Sequence, residues 1–257
     1  MNDIESLVKY YRRELFEKFL EIGQGHPGST FSMLDIVTTL YHGGYVRLGS
    51  DKVLISKGHA TVALYPILTK LGVIPSGEWE NWGKRESCLR VFGNKDIPGI
   101  DMTSGSLGHG VGVGAGMALA SKRIGADNKI YVVISEGELY EGSTWEAMLF
   151  AAHHKLDNLT VFIDINSLII LGKTSDCVSL NPIQRKISGF DFVVEEIDGH
   201  NIAEIQSVLD LKTNLPKIIL AETIKGKGFS IMENQANWHY WNNLTPDEIQ
   251  QCRKEIA

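Results

Sequence analysis

Apolar residues recur every three or four positions in some stretches of the chain and run unbroken in others. Ile4, Leu7, Val8, Tyr11, Leu15, Phe19 and Ile22 follow the helical step, which predicts a helix over 3–24 with Asp3 as its cap. The same spacing returns over Ser29–His42, 61–71 and 202–209. Short apolar runs predict buried strands at 53–55, 129–134, 159–163, 192–197 and 217–223. A helix over 144–155 separates the second and third of these runs, and Thr245-Pro246 opens a last helix. Strands that alternate with helices imply an α/β fold, a mainly parallel sheet with helices on both faces. Residues 1–257 are read as a single domain, with no repeat or linker.

The breaks in the pattern carry the candidate chemistry. Gly23-Gln-Gly25-His26-Pro27-Gly28 is a backbone-shaped loop. Residues 75–101 predict an ordered loop with a short helix, because Trp79 and Trp82 lie in it. Thr103 to Gly116 is rich in glycine and predicts a loop that opens a helix over 117–123, whose N-terminus favours an anion. It is not the Gly-x-Gly-x-x-Gly dinucleotide signature in its usual setting. Residues 169–190 predict loop and short helix.

The strand ending at Ile134 leads into Ser135-Glu136-Gly137, and the strand ending at Ile163 leads into Asp164-Ile165-Asn166. Ligands of open parallel sheets gather at such strand ends. A carboxylate and an amide there suit Mg²⁺ whose remaining positions go to phosphate oxygens. Glu141 lies close by and could cap the next helix. His26, His59, His109 and His200 sit in glycine-flanked turns and His239 among aromatics, so together they predict one polar pocket able to move protons near neutral pH. His42, His153 and His154 fall within helices and carry no such expectation.

Composition narrows the class. Hydrophobic residues make up 43% and charged ones 22%, ordinary for a globular protein. A net charge of −6 argues against a nucleic-acid or membrane surface. The opening Met-Asn-Asp-Ile-Glu-Ser does not predict a signal peptide, and no apolar run reaches membrane-spanning length. Three scattered cysteines predict reduced thiols in a cytoplasmic protein.

The ordered set of motifs resembles the N-terminal, thiamine-diphosphate-binding half of transketolase, most closely the short subunit of two-chain members. It runs from Gly25-His-Pro-Gly28 through Ser56-Lys-Gly-His59, Pro98-Gly-Ile-Asp101, Gly105-Ser-Leu-Gly-His-Gly110, Glu136 to Asn166, Asp198-Gly-His200 and Lys225-Gly-Lys-Gly228 to Trp238-His239. The resemblance implies thiamine diphosphate and Mg²⁺ (or Ca²⁺ or Mn²⁺), with Glu136, Asn166 and the Leu168 carbonyl on the metal. It implies that His59 and Gly137 touch the diphosphate and that Leu107 and Gly108 lie near the cofactor rings. Glu141 joins Asn166 among the cofactor-binding residues, and His26, His239 and His59 are the catalytic group.

The implied reaction cleaves a ketose and passes a two-carbon ketol unit to an aldehyde. It needs a C-terminal, pyrimidine-binding partner subunit in an α2β2 assembly, because the resemblance makes this chain half of an active site. Two departures stand out. The family's Gly-Asp-Gly is Ser135-Glu136-Gly137 here. The histidine that the family places before Pro98, at about Val91, is absent, which leaves Arg90 or another group in its place and points to an unusual sugar phosphate substrate. Two alternatives stay open: a thiamine-diphosphate enzyme acting on a 2-oxo acid, and a degenerate non-catalytic subunit.

Overall fold

The computed structural model describes residues 3–257, so Met1 and Asn2 of the segment read for a signal peptide lie outside the described residues. Five parallel strands form the central sheet: β1 (Lys52–Ile55), β2 (Ile130–Ser135), β3 (Leu159–Ile165), and two more that follow a small hairpin. The hairpin pairs β4 (Leu168–Ile169) with β5 (Gly172–Lys173). The last two sheet strands are β6 (Val193–Asp198) and β7 (Lys217–Glu222). The spatial order is β1-β2-β3-β7-β6, so β7 enters between β3 and the edge strand β6.

The runs of β1, β2, β3 and β7 are buried on both faces and their side chains divide by alternation, whereas the edge strand β6 is mostly half-buried or exposed. Tyr131 and Val133 of β2 join a core with Val53, Ile55, Phe162 and Ile219 under the helices Ile4–Ile22, Leu34–His42 and Ile202–Asp210. Ile130, Val132 and Ile134 join the opposite core with Leu54, Val161 and Leu220, under the helices Gly110–Arg123 and Gly142–His153. The expected α/β architecture, with helices on both faces, is the one found. The final helix, Pro246–Glu255, starts with a reciprocal cap between Thr245 and Glu248.

Three local expectations need correction. The helix read over Ser29–His42 is two helices, Pro27–Ser32 and Leu34–His42, broken at Met33. All six residues of the first are buried, and the Ser32 hydroxyl bonds back to the Ser29 carbonyl and across to Asp164. Those tertiary bonds outweigh helical continuity.

The glycine run is not all loop, because the helix expected from 117 begins at Gly110. Its glycines permit close approach: a Cβ on Gly114 would come within 2.5 Å of Val132, and one on Gly110 within 2.3 Å of Ser56. The segment after Ile169 completes the β4–β5 hairpin before reaching the short helix Ile183–Ile187. Two-residue strands carry too little periodicity to be read from sequence.

The ordered loop over 75–101 is as expected, with a short helix at Ser76–Glu80 and Trp79 stacked on Trp82 at 5.6 Å. Among the described residues no helix is long and apolar enough to cross a membrane.

Candidate active site

The carboxyl ends of β1, β2, β3 and β7 surround a cavity of about 380 Å³. A larger cleft of about 620 Å³ opens at the opposite, amino ends of β2, β3 and β7 and holds none of the residues singled out from sequence. There Lys217 caps the carbonyls of Val208, Leu209 and Leu211, a structural role.

Three of the five loop histidines meet in the first cavity. His26 stands just before the buried helix Pro27–Ser32 and makes no capping bond. His59 lies in the turn after β1, and His239 in the turn Ala236–His239. Their ring centroids are 5.1 Å apart for His26–His59, and 5.3 Å for both His26–His239 and His59–His239. The Nδ1 of His26 is buried and has no partner.

The other two are elsewhere, so the expectation of one pocket for all of them is corrected. His109 is exposed at the start of the helix Gly110–Arg123. His200 is held structurally: its Nε2 accepts from the Ile224 N–H at 2.9 Å and its Nδ1 lies 3.1 Å from Asp35, which also pairs with Arg12. That clamp fixes the segment leading to Lys225.

The floor is cationic. Lys57, fully buried, pairs with the fully buried Asp164, whose other contacts are the hydroxyls of Ser32 and Thr223. Burial alone would raise the Asp164 pKa, but the Lys57 ammonium and these hydroxyls hold it below the ordinary value. Lys225 is 1% exposed and, among the described residues, has no carboxylate within ion-pair range; its ammonium lies 3.4 Å from His239 Nδ1. Burial, and then Lys57, push its pKa down to about 8. A buried ammonium without a counterion suits an anion entering the cavity.

Burial and then the Lys225 charge lower both His26 and His239 to about 4, and burial with the surrounding cations and histidines takes His59 well below 6.5. The three rings are therefore neutral at pH 7, each with one donor and one acceptor nitrogen. The unfolded chain takes up protons below about 6.5 that the folded chain refuses down to about 4, so stability falls with acidification through that window. Lys225→Met should raise the pKa of His26 and His239 partway toward 6.5, since burial remains. An NMR titration in which neither ring moves would refute this electrostatic account.

The opposite wall holds the oxygen donors. Glu136, buried, accepts from the Ser167 N–H at 2.9 Å, and the Asn166 side-chain oxygen accepts from the Leu168 N–H at 3.2 Å. Burial raises the Glu136 pKa against hydrogen bonds from Thr174 and Ser167. Among the described residues no group of three His, Cys, Asp or Glu side chains could hold a metal. One carboxylate, one amide and backbone carbonyls are hard donors that suit Mg²⁺ when phosphate oxygens complete its shell. Gly137 and Leu168 line the cavity beside them.

Leu107 lines the cavity, whereas Gly108 is clamped behind it at φ +83°, where a Cβ would strike Glu141 at 2.6 Å. Glu141 also lines the cavity but makes no side-chain bond to the helix it precedes, so the capping expectation fails.

Sequence reading missed Glu138, Lys57 and Lys225 as contributors. Glu138 is fully buried and accepts from Ser56 Oγ and from the backbone N–H groups of Gly108 and Ser135, the latter two at 3.0 Å. It ties the ends of β1 and β2 to the glycine loop. Its signal was the reciprocal cap pattern Ser135-x-x-Glu138. Arg90 does not fill the place of the absent histidine, because its guanidinium turns back to the carbonyls of Ser87 and Leu89. Phe92 occupies the cavity instead, 5.9 Å from His26.

Comparison with known proteins agrees with this geometry. Residues 5–257 match the family model described as transketolase, thiamine diphosphate binding domain. The chain is 34% identical to an apulose-4-phosphate transketolase subunit of Phocaeicola vulgatus, over 96% of this chain and 91% of that relative. It is also 34% identical to a 6-deoxy-6-sulfo-D-fructose transketolase subunit of a Clostridium species, over 92% and 90%. A crystal structure of transketolase from Campylobacter jejuni superposes with a TM-score of 0.89 at 27% identity, covering 100% of this chain and 43% of that one.

Proposed function

This chain belongs to the transketolase family, and from that membership we propose that it is the thiamine-diphosphate-binding subunit of a two-chain ketol-transferring enzyme. The observation that carries the reading is the convergence of three neutral histidines over a floor holding the uncompensated Lys225, beside Glu136 and Asn166. Thiamine diphosphate, when bound, supplies the carbon nucleophile and electron sink for cleaving the ketose.

The chain's own residues would do the rest. Lys225, His59 and Gly137 would hold the diphosphate, while Glu136, Asn166 and the Leu168 carbonyl would hold Mg²⁺ (or Ca²⁺ or Mn²⁺). Leu107 and Glu141 would border the cofactor rings, with Gly108 behind them shaping the loop. His26, buried, and His239, half-buried, would donate from their neutral rings to the substrate's oxygens, and a ring that takes up the substrate's hydroxyl proton would become an imidazolium until it returns that proton.

The names of the two relatives mark each as one subunit of a larger enzyme, which supports a partner chain. We assign that partner the pyrimidine-binding domain and the assembly two copies of each chain. A face of Gly112, Val113, Gly116, Leu149 and Phe150, exposed on the paired helices Gly110–Arg123 and Gly142–His153, supports such docking. A sugar phosphate is the substrate class that the first relative's name supports. The free cysteines Cys88, Cys177 and Cys252 support a cytoplasmic location.

The test is reconstitution with the pyrimidine-binding subunit, thiamine diphosphate and Mg²⁺. Transfer of a two-carbon unit from a ketose phosphate to an aldose phosphate is expected. Turnover of pyruvate without ketose activity would favour the 2-oxo acid alternative. A complex that binds no cofactor would favour the degenerate subunit.

A further inference from the structure

Two aromatic rings stand at the mouth of the cavity beside the histidines. Phe92 is 43% exposed and Tyr240 is 52% exposed, yet both pack on His26, with centroids at 5.9 Å and 4.9 Å. Tyr240 also stands 4.8 Å from His239. The two rings thus wall the reactive histidines on the solvent side and present open faces to whatever enters. The cations of the lining, Lys57 and Lys225, are buried at the floor, and no arginine lines the cavity among the described residues. Beside His26 and His239 the rim therefore offers the ring faces of Phe92 and Tyr240, while the exposed Tyr140 and Glu141 belong to the segment that follows β2.

We propose that Phe92 and Tyr240 are specificity-determining residues that receive the C–H face of a sugar donor and press it against His26 and His239. The proposal rests on the ketol-transfer reading and names how its donor is chosen. A C–H face packs on an aromatic ring at no polar cost. A hydroxyl aimed at the ring would give up its hydrogen bond to water without a replacement. The favoured donor is a ketose that turns hydrogen toward Phe92, through its stereochemistry or through a missing hydroxyl. Both rings are partly exposed before substrate arrives, so covering them adds apolar burial on binding.

The test uses the reconstituted two-chain enzyme with fructose 6-phosphate as donor. Phe92→Ala and Tyr240→Ala should each raise the donor KM about tenfold, with a smaller change in kcat and without a parallel rise in the KM for thiamine diphosphate. Phe92→Tyr, which keeps the ring, should restore the donor KM. Saturation-transfer NMR should show magnetisation passing from aromatic protons to the sugar's C–H protons in the wild type, and less in Phe92→Ala. Unchanged donor KM in both alanine variants of an active enzyme would overturn the proposal, as would equal rises for donor and cofactor, the mark of a structural role. A wild-type complex that binds thiamine diphosphate but transfers nothing from any ketose would fail earlier, taking the ketol-transfer reading and this proposal together.

Discussion

Glu136→Ala is expected to lower the affinity of the reconstituted enzyme for thiamine diphosphate with Mg²⁺ by on the order of 100-fold or more, and activity with it. Of the other carboxylates that line the cavity, Asp164 is paired with Lys57 and Glu141 lies at the start of the next helix, so Glu136, bonded to the Ser167 N–H next to Asn166, is the charged donor on this wall. The folded chain itself should not suffer. Burial raises the Glu136 pKa despite hydrogen bonds from Thr174 and Ser167, so this carboxylate keeps part of its desolvation cost, which a bound cation would offset. The thermal midpoint without cofactor should therefore stay close to wild type or rise, while the increase normally produced by adding cofactor should vanish.

Glu136→Asp keeps the charge but withdraws it by one methylene from the Ser167 N–H, now 2.9 Å away, and should fall between the two. Calorimetric titration distinguishes these cases. An alanine variant that binds cofactor and metal like the wild type would remove Glu136 from the metal site.

Lys57→Met is expected to cost about 3–5 kcal/mol of folding stability, a large share of the margin of an ordinary domain. Lys57 and Asp164 are 1% and 0% exposed in their side chains, so the variant leaves a carboxylate buried without its ammonium. In the wild type, Asp164 is held below 3.8, so its stabilising contribution is present above that pH and is lost as pH falls through its lower folded value. In Lys57→Met the balance reverses. Burial would raise Asp164, and the deficit should grow as pH rises from about 4 toward neutrality. Urea midpoints of the full chain at acidic and neutral pH measure this. Pairing Lys57→Met with Asp164→Leu should recover much of the loss. A single variant with a wild-type midpoint at neutral pH would show that the pair contributes nothing.

The parts legible in sequence were those fixed by near neighbours. The apolar runs at 129–134 and 159–163 gave strands because a doubly covered parallel strand is apolar throughout. The spacing through Ile4 to Ile22 gave the first helix, because one helical face must meet the core. The strand-end positions of Glu136 and Asn166 were legible because each follows such a run. What escaped was decided by distant partners. The break at Met33 follows from Ser32 reaching Asp164, and Lys57 becomes a buried ion-pair member only because β1 and β3 flank β2. Lys225 lacks an ion-pair partner because Asp164, the acid whose charge it feels, pairs with Lys57 instead.

The amino-acid sequence by itself determined the alternating α/β architecture, and with it the strand ends where chemistry gathers, since local periodicity specifies which residues face a core. The tertiary structure decided which of the similar loop histidines share a site. It brought His26, His59 and His239 within 5.3 Å of one another, turned His200 into a clamp on Asp35, and left His109 outside. It also put Phe92, rather than Arg90, beside His26. The reason is physical: burial and the neighbouring Lys225 make those rings neutral, and both depend on chain segments far apart in sequence that only the folded sheet brings together.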